Sequence, residues 1–141
     1  MTAHQLWFRS TLFNIESGED RETNPFRFGR QLAHWLRERL IAQGRSVENV
    51  IPEDWGWCIV TQRKPFLLWV GCSNVHNPAN SQPGDQPPRG TDVLWACIVV
   101  AERPILGRLS SDATVLPTEE LFRQVRGIIE AEPCNALVEE P

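Results

Sequence analysis

Two carboxylates and two indoles meet in the heptapeptide Pro52-Glu53-Asp54-Trp55-Gly56-Trp57-Cys58. A carboxyl held against an apolar wall has its pKa raised, so Glu53 or Asp54 beside an indole could serve as a general acid or base. Acidic residues just ahead of a strand also make local turn bonds to backbone N–H groups, and contact with a partner is the third use open to them. A second pair with chemical capacity is Cys72 and His76. A thiol beside an imidazole at a strand end can be activated as a nucleophile, and Asp54, Cys72 and His76 converging on one pocket would make a small-molecule-binding or hydrolytic site. No nucleophile motif surrounds Cys72, however. Cys58, Cys72 and Cys97 each stand inside an apolar run, where cysteine packs as a small hydrophobe, so they are read as reduced core thiols.

Metal and phosphate chemistry have less to build on. The histidines at 4, 34 and 76 are scattered, and no two cysteines have the short spacing of a zinc site. Gly84 and Gly90 lie in a long polar segment with no strand-to-helix context, so no nucleotide cradle is expected. No cofactor and no metal are assigned.

The elements that must position these groups follow from periodicity. Leu6 to Ile15 reads as a first strand, followed by a solvated loop, residues 16–23, carrying Glu16, Glu19, Asp20 and Glu22. Asn24-Pro25 has the form of a helix N-cap with proline at the first helical position. Phe28, Leu32, Trp35, Leu36 and Leu40 then make one apolar stripe, and Gly44 is placed to end the helix. Its other side, with Arg27, Arg30, His34 and Arg37, reads as a solvated surface rather than a site for RNA or an acidic partner.

Val47 to Ile51 is a short extended piece, and three strands follow: Trp55–Gln62, Phe66–Cys72 and Val93–Glu102. The first two form a hairpin through Arg63-Lys64-Pro65. Alternation groups Trp55 with Trp57, Ile59 and Thr61, against Gly56, Cys58, Val60 and Gln62 on the other face. Val93 to Val100 is apolar on both faces, which suits a central strand. Residues 73–91, rich in Asn, Pro, Gly and Ser with almost nothing to bury, read as a flexible loop. Thr118 can cap a second helix over Leu121, Phe122, Val125, Ile128 and Ile129, with Pro133 as its stop; Ala136 to Val138 can add an edge strand to the tail, residues 133–141.

The order β-α-β-β-β-α, with a short C-terminal strand possible, implies a single α+β domain over residues 1–141: an antiparallel sheet with both helices on one face, a two-layer sandwich. The other sheet face must then lie under loops, bind a second copy as a homodimer, or meet a partner. Six tryptophans and no tyrosine put unusual weight on what the indoles do there. A net charge of −4 argues against nucleic acid, which usually meets a basic surplus. Residues 1–72 carry nine cations against eight carboxylates, and residues 73–141 five against ten, so a protein partner would have a basic surface. No apolar run approaches the length of a membrane span and residues 1–5 lack a secretory pattern, so a cytoplasmic protein is expected.

The run Pro52 to Cys58, followed by Lys64-Pro65-Phe66 and Leu68-Trp69-Val70-Gly71-Cys72, resembles small bacterial proteins of no established activity that share this aromatic core. The resemblance covers about residues 5–130 and implies no functional residues. Size and acidity are also similar in general character to immunity proteins, which block a toxin by occupying its active site; that is analogy. The expectation is therefore a non-catalytic, immunity- or antitoxin-like protein-binding module. Glu16, Glu19, Asp20 and Glu22 would steer the partner, and Glu53, Asp54 and Trp55 would contact it.

Overall fold

The computed structural model describes residues 2–77, 79, 82, 84–104, 110 and 112–141. Strand β1 (Thr2–Ser10) is followed by a 3-10 turn at Glu19–Arg21 and helix α1 (Arg30–Ala42). Next come β2 (Ile51–Glu53), β3 (Gly56–Gln62), β4 (Leu67–Asn74), β5 (Trp95–Glu102), helix α2 (Asp112–Ala131) and β6 (Asn135–Val138). The strands form one antiparallel six-stranded sheet in the order β2-β3-β4-β5-β1-β6, so β5 is interior, as its two apolar faces require.

Pairing register sorts the side chains. Leu6 and Phe8 of β1, Trp57 and Ile59 of β3, Leu68, Val70 and Cys72 of β4, and Trp95, Cys97, Val99 and Ala101 of β5 share one face. They belong to a single buried cluster with Leu32, Leu36 and Leu40 of α1 and Leu121, Val125, Ile128 and Ile129 of α2. Both helices therefore pack on the same side of the sheet, and the fold is the expected α+β arrangement.

Element boundaries differ from expectation for local reasons. The first strand ends at Ser10 because its hydroxyl accepts the Leu12 N–H at 3.0 Å and turns the chain. The extended piece expected over Val47 to Ile51 is β2, shifted to Ile51–Glu53. Helix α1 starts at Arg30, not at Asn24-Pro25, because Phe26 (φ 65°) and Gly29 (φ 138°) take the backbone out of the helical region and the cap comes from a distant carboxylate. Its end agrees with the sequence: Gly44 has φ 89°, its N–H bonds to the Ile41 carbonyl, and Arg45 N–H bonds to Leu40.

Helix α2 begins at Asp112, six residues before the expected Thr118 cap, and runs through Pro117. The Thr118 hydroxyl instead donates to the Thr114 carbonyl at 2.6 Å within the helix. Of the segment expected to be flexible, Ser73 and Asn74 complete β4 and Gly90–Asp92 form a 3-10 turn; residues 78, 80, 81 and 83 lie outside the described residues. In the tail, β6 pairs with the second half of β1.

Candidate functional site: an indole pair on the sheet face away from the helices

Asp54 and Trp55 form the two-residue turn between β2 and β3, where Glu53 pairs with Gly56. Strand alternation does not govern a turn residue, so Trp55 is not on the face of Trp57 as the sequence pattern suggested. Its indole folds over the opposite face and rests on Gly71, where a Cβ would lie 2.7 Å from Trp55 Cη2 and Cζ3. There it stacks on Trp69, with ring centroids 5.2 Å apart and planes 24° from parallel. Alternation puts Trp7 on this face as well. Beneath these half-buried rings Cys58, Val60 and Val100 are 5%, 5% and 2% exposed, although neither α1 nor α2 covers them. The indoles are thus a thin second layer: a floor for the sheet and a surface for solvent.

Beside the indole pair is a depression of about 320 Å³ lined by Ile51, Glu53, Trp55, Cys58, Val60, Arg63, Leu67, Trp69 and Glu102. Glu102, at the end of β5, accepts the Trp69 indole N–H at 3.0 Å. Among the described residues the one cation in the lining is matched: Arg63 donates from Nε and Nη2 to both oxygens of Glu48 at 2.7 and 2.8 Å, which holds the Glu48 carboxyl below its ordinary range. Glu53 and Asp54 are exposed, and among the described residues neither carboxylate forms a hydrogen bond or an ion pair. The local turn bonds open to them in the sequence are absent there. Burial, with the Glu53 and Glu102 charges adding to it, pushes the Cys58 thiol up to about 12.

The acidic loop has a different character. Glu19 is 3% exposed: Oε1 accepts the N–H groups of Gly29 and Arg30 at 2.8 and 3.1 Å, and Oε2 accepts Glu16 N–H at 2.7 Å. It caps α1 from ten residues upstream. Asp20 accepts Phe26 N–H at 3.0 Å, and Glu16 lies 3.6 Å from Arg30. Glu22 is exposed. Three of the four expected steering carboxylates therefore have structural partners. Asn24 N–H bonds to the Asp54 carbonyl at 3.0 Å, which ties this loop to the turn carrying Asp54 and Trp55.

The second constellation does not assemble. Cys72 points into the helix-covered core, wholly buried, its Sγ 4.0 Å from that of Cys97. The Cys97 thiol and burial raise its pKa well above the ordinary value, the reverse of an activated thiolate. His76 stacks on Phe26 at 5.2 Å. A cleft of about 560 Å³ between residues 14–28 and 85–90 is lined by neither Asp54, Cys72 nor His76. On the arginine side of α1, Arg30 and His34 are exposed, Arg30 lies over the Trp57 ring and Arg37 donates to the Glu48 carbonyl, while Arg27, ahead of the helix, donates to the Asn74 carbonyl. Among the described residues no cluster of His, Cys, Asp and Glu could hold a metal ion, and no helix is long and apolar enough to cross a membrane.

Trp69 and Glu102 are the residues that sequence reasoning left out of the site. Alternation along β5 puts Glu102 on the face of Ile98 and Val100, but its partner Trp69 is visible only once β4 and β5 are paired. No family model, curated protein or solved structure matches the chain.

Proposed function

We propose that this protein is a non-catalytic binding module of bacterial type, immunity- or antitoxin-like, that captures a basic toxin or effector on the indole-bearing sheet face. The observation that carries the reading is the pairing of stacked, half-buried Trp55 and Trp69 with carboxylates, Glu53 and Asp54, that no side-chain bond engages among the described residues. Tryptophan anchors in desolvated pockets dominate binding energy at protein interfaces. Uncommitted carboxylates around them select a cationic partner and speed its approach. The net charge of −4 acts in the same direction. Glu22, exposed on the loop bonded to the Asp54 turn, extends the acidic field.

The test is capture from the native host with immobilised wild-type protein, Trp55→Ala and Glu53→Gln/Asp54→Asn side by side. The expected outcome is one stoichiometric basic protein, with affinity reduced at least tenfold by Trp55→Ala and several-fold by the charge-neutral pair. Equal retention on all three baits rules this face out as the binding surface.

A further inference from the structure

We infer that the depression beside Trp69 and Glu102 is a seat for an arginine side chain of the partner protein, its guanidinium lying on the indole pair and donating to the Glu102 carboxylate. The inference rests on reading this face as a protein-binding surface and adds the chemistry of the group it receives.

Three observations converge on a planar cation. The lining combines two stacked indoles with carboxylates, and its own arginine is already matched by Glu48 through two short bonds, so the local charge left over is negative. Indole faces attract cations, and the guanidinium, flat and weakly hydrated, stacks on them better than the compact ammonium of lysine. The Trp69 N–H is already bonded to Glu102 Oε2, which fixes that carboxylate beside the ring and leaves Oε1 to accept from a group on the indole. Burial first, and after it the Glu53 and Glu102 charges, push the pKa of the Cys58 thiol at the floor of the depression up to about 12.

The two carboxylates do not share the role. Glu53 is on edge strand β2 and Glu102 on β5, three strand spacings away, which at about 4.8 Å per strand is more than one guanidinium can bridge. Glu102 is the direct acceptor, and Glu53 contributes through the field alone.

The experiment titrates the full chain with butylguanidinium, butylammonium and butylurea at constant ionic strength. It follows the indole N–H signals in a nitrogen-proton NMR correlation, with Trp55→Phe and Trp69→Phe giving the assignment. Butylguanidinium is expected to shift the Trp55 and Trp69 signals saturably in the millimolar range, with butylammonium at least fivefold weaker and butylurea without effect. Glu102→Gln should weaken the guanidinium at least fivefold, and Glu53→Gln by less than twofold. Equal shifts from the ammonium or the urea, or unchanged binding to Glu102→Gln with an otherwise native spectrum, overturn the arginine assignment. Failure of the wider reading looks different. A basic protein retained through Trp55 with no response to butylguanidinium removes the arginine seat alone. A saturable response with no basic protein captured leaves the seat and removes the toxin or effector.

Discussion

Trp55 and Gly71 touch across the sheet face because residue 71 has no side chain: a Cβ there would stand 2.7 Å from the Trp55 ring and 2.9 Å from Ile98 Cγ2. Gly71→Ala should therefore destabilise the fold by about 1–3 kcal/mol, the usual cost of an overpacked methyl group. It should also separate Trp55 from Trp69. Urea unfolding measures the first effect, and loss of the coupled indole signal in circular dichroism the second. A variant with unchanged stability and an intact signal would mean that the indole is free to lie elsewhere.

Glu19 and Glu22 are neighbours in a loop that sequence alone treats as one acidic patch, yet they should respond oppositely to truncation. Glu19→Ala leaves the buried N–H of Gly29 and the part-buried N–H groups of Arg30 and Glu16 without their acceptor; a buried donor left unpaired costs about 1–3 kcal/mol, and the part-buried ones cost less because water can reach them. Faster hydrogen exchange at Gly29 and Arg30 should accompany the loss. Glu22→Ala, at an exposed position, should stay within about 0.5 kcal/mol of wild type.

Thiol reactivity and alkaline stability report the same burial. Cys134 is exposed while Cys58, Cys72 and Cys97 are buried, so a thiol reagent should modify one cysteine per folded chain rapidly and all four after unfolding. For Cys58 the folded pKa is raised from 9.0 to about 12, so the unfolded chain releases this proton first as pH rises. The stability linked to the protonated thiol is complete below pH 9 and declines toward 12. Wild type should lose stability more steeply over that window than Cys58→Ala, measured by denaturant unfolding at successive pH values.

Pro117 lies inside α2 and cannot donate to the carbonyl four residues earlier. Pro117→Ala restores that donor and removes the ring from the preceding turn, and should raise stability by about 1–3 kcal/mol. Thermal unfolding of the two proteins tests this directly.

What the sequence made legible was whatever depends on near neighbours. The apolar runs of β3, β4 and β5, the stripe from Leu32 to Leu40 and the Gly44 terminus all carry their signal within a few residues, and the structure has each of them. The start of α1 was misread because Asn24-Pro25 imitates a local cap while the carboxylate that acts is Glu19, a non-local partner. Thr118 misled in the same way, as a capping residue whose hydroxyl bonds backward within a helix already under way. Glu53, Asp54 and Trp55 were legible as an unusual cluster. Their relation to Trp69 and Glu102 was not, because it depends on a turn that releases Trp55 from alternation and on a glycine one strand away.

The carbonyl oxygen of Cys72 is approached from two directions: Cβ atoms built at Gly29 and Gly56 would lie 2.8 and 2.6 Å from it. The beginning of the first helix and the turn bearing Trp55 are thus seated on one peptide group, with no room for a methyl between either and the strand. Motion of the fourth strand at Cys72 would be felt at both seats together. A change that re-aims Trp55 must leave that peptide where it is, so sequence variation on this face is channelled into side chains around the indole and away from the backbone beneath it.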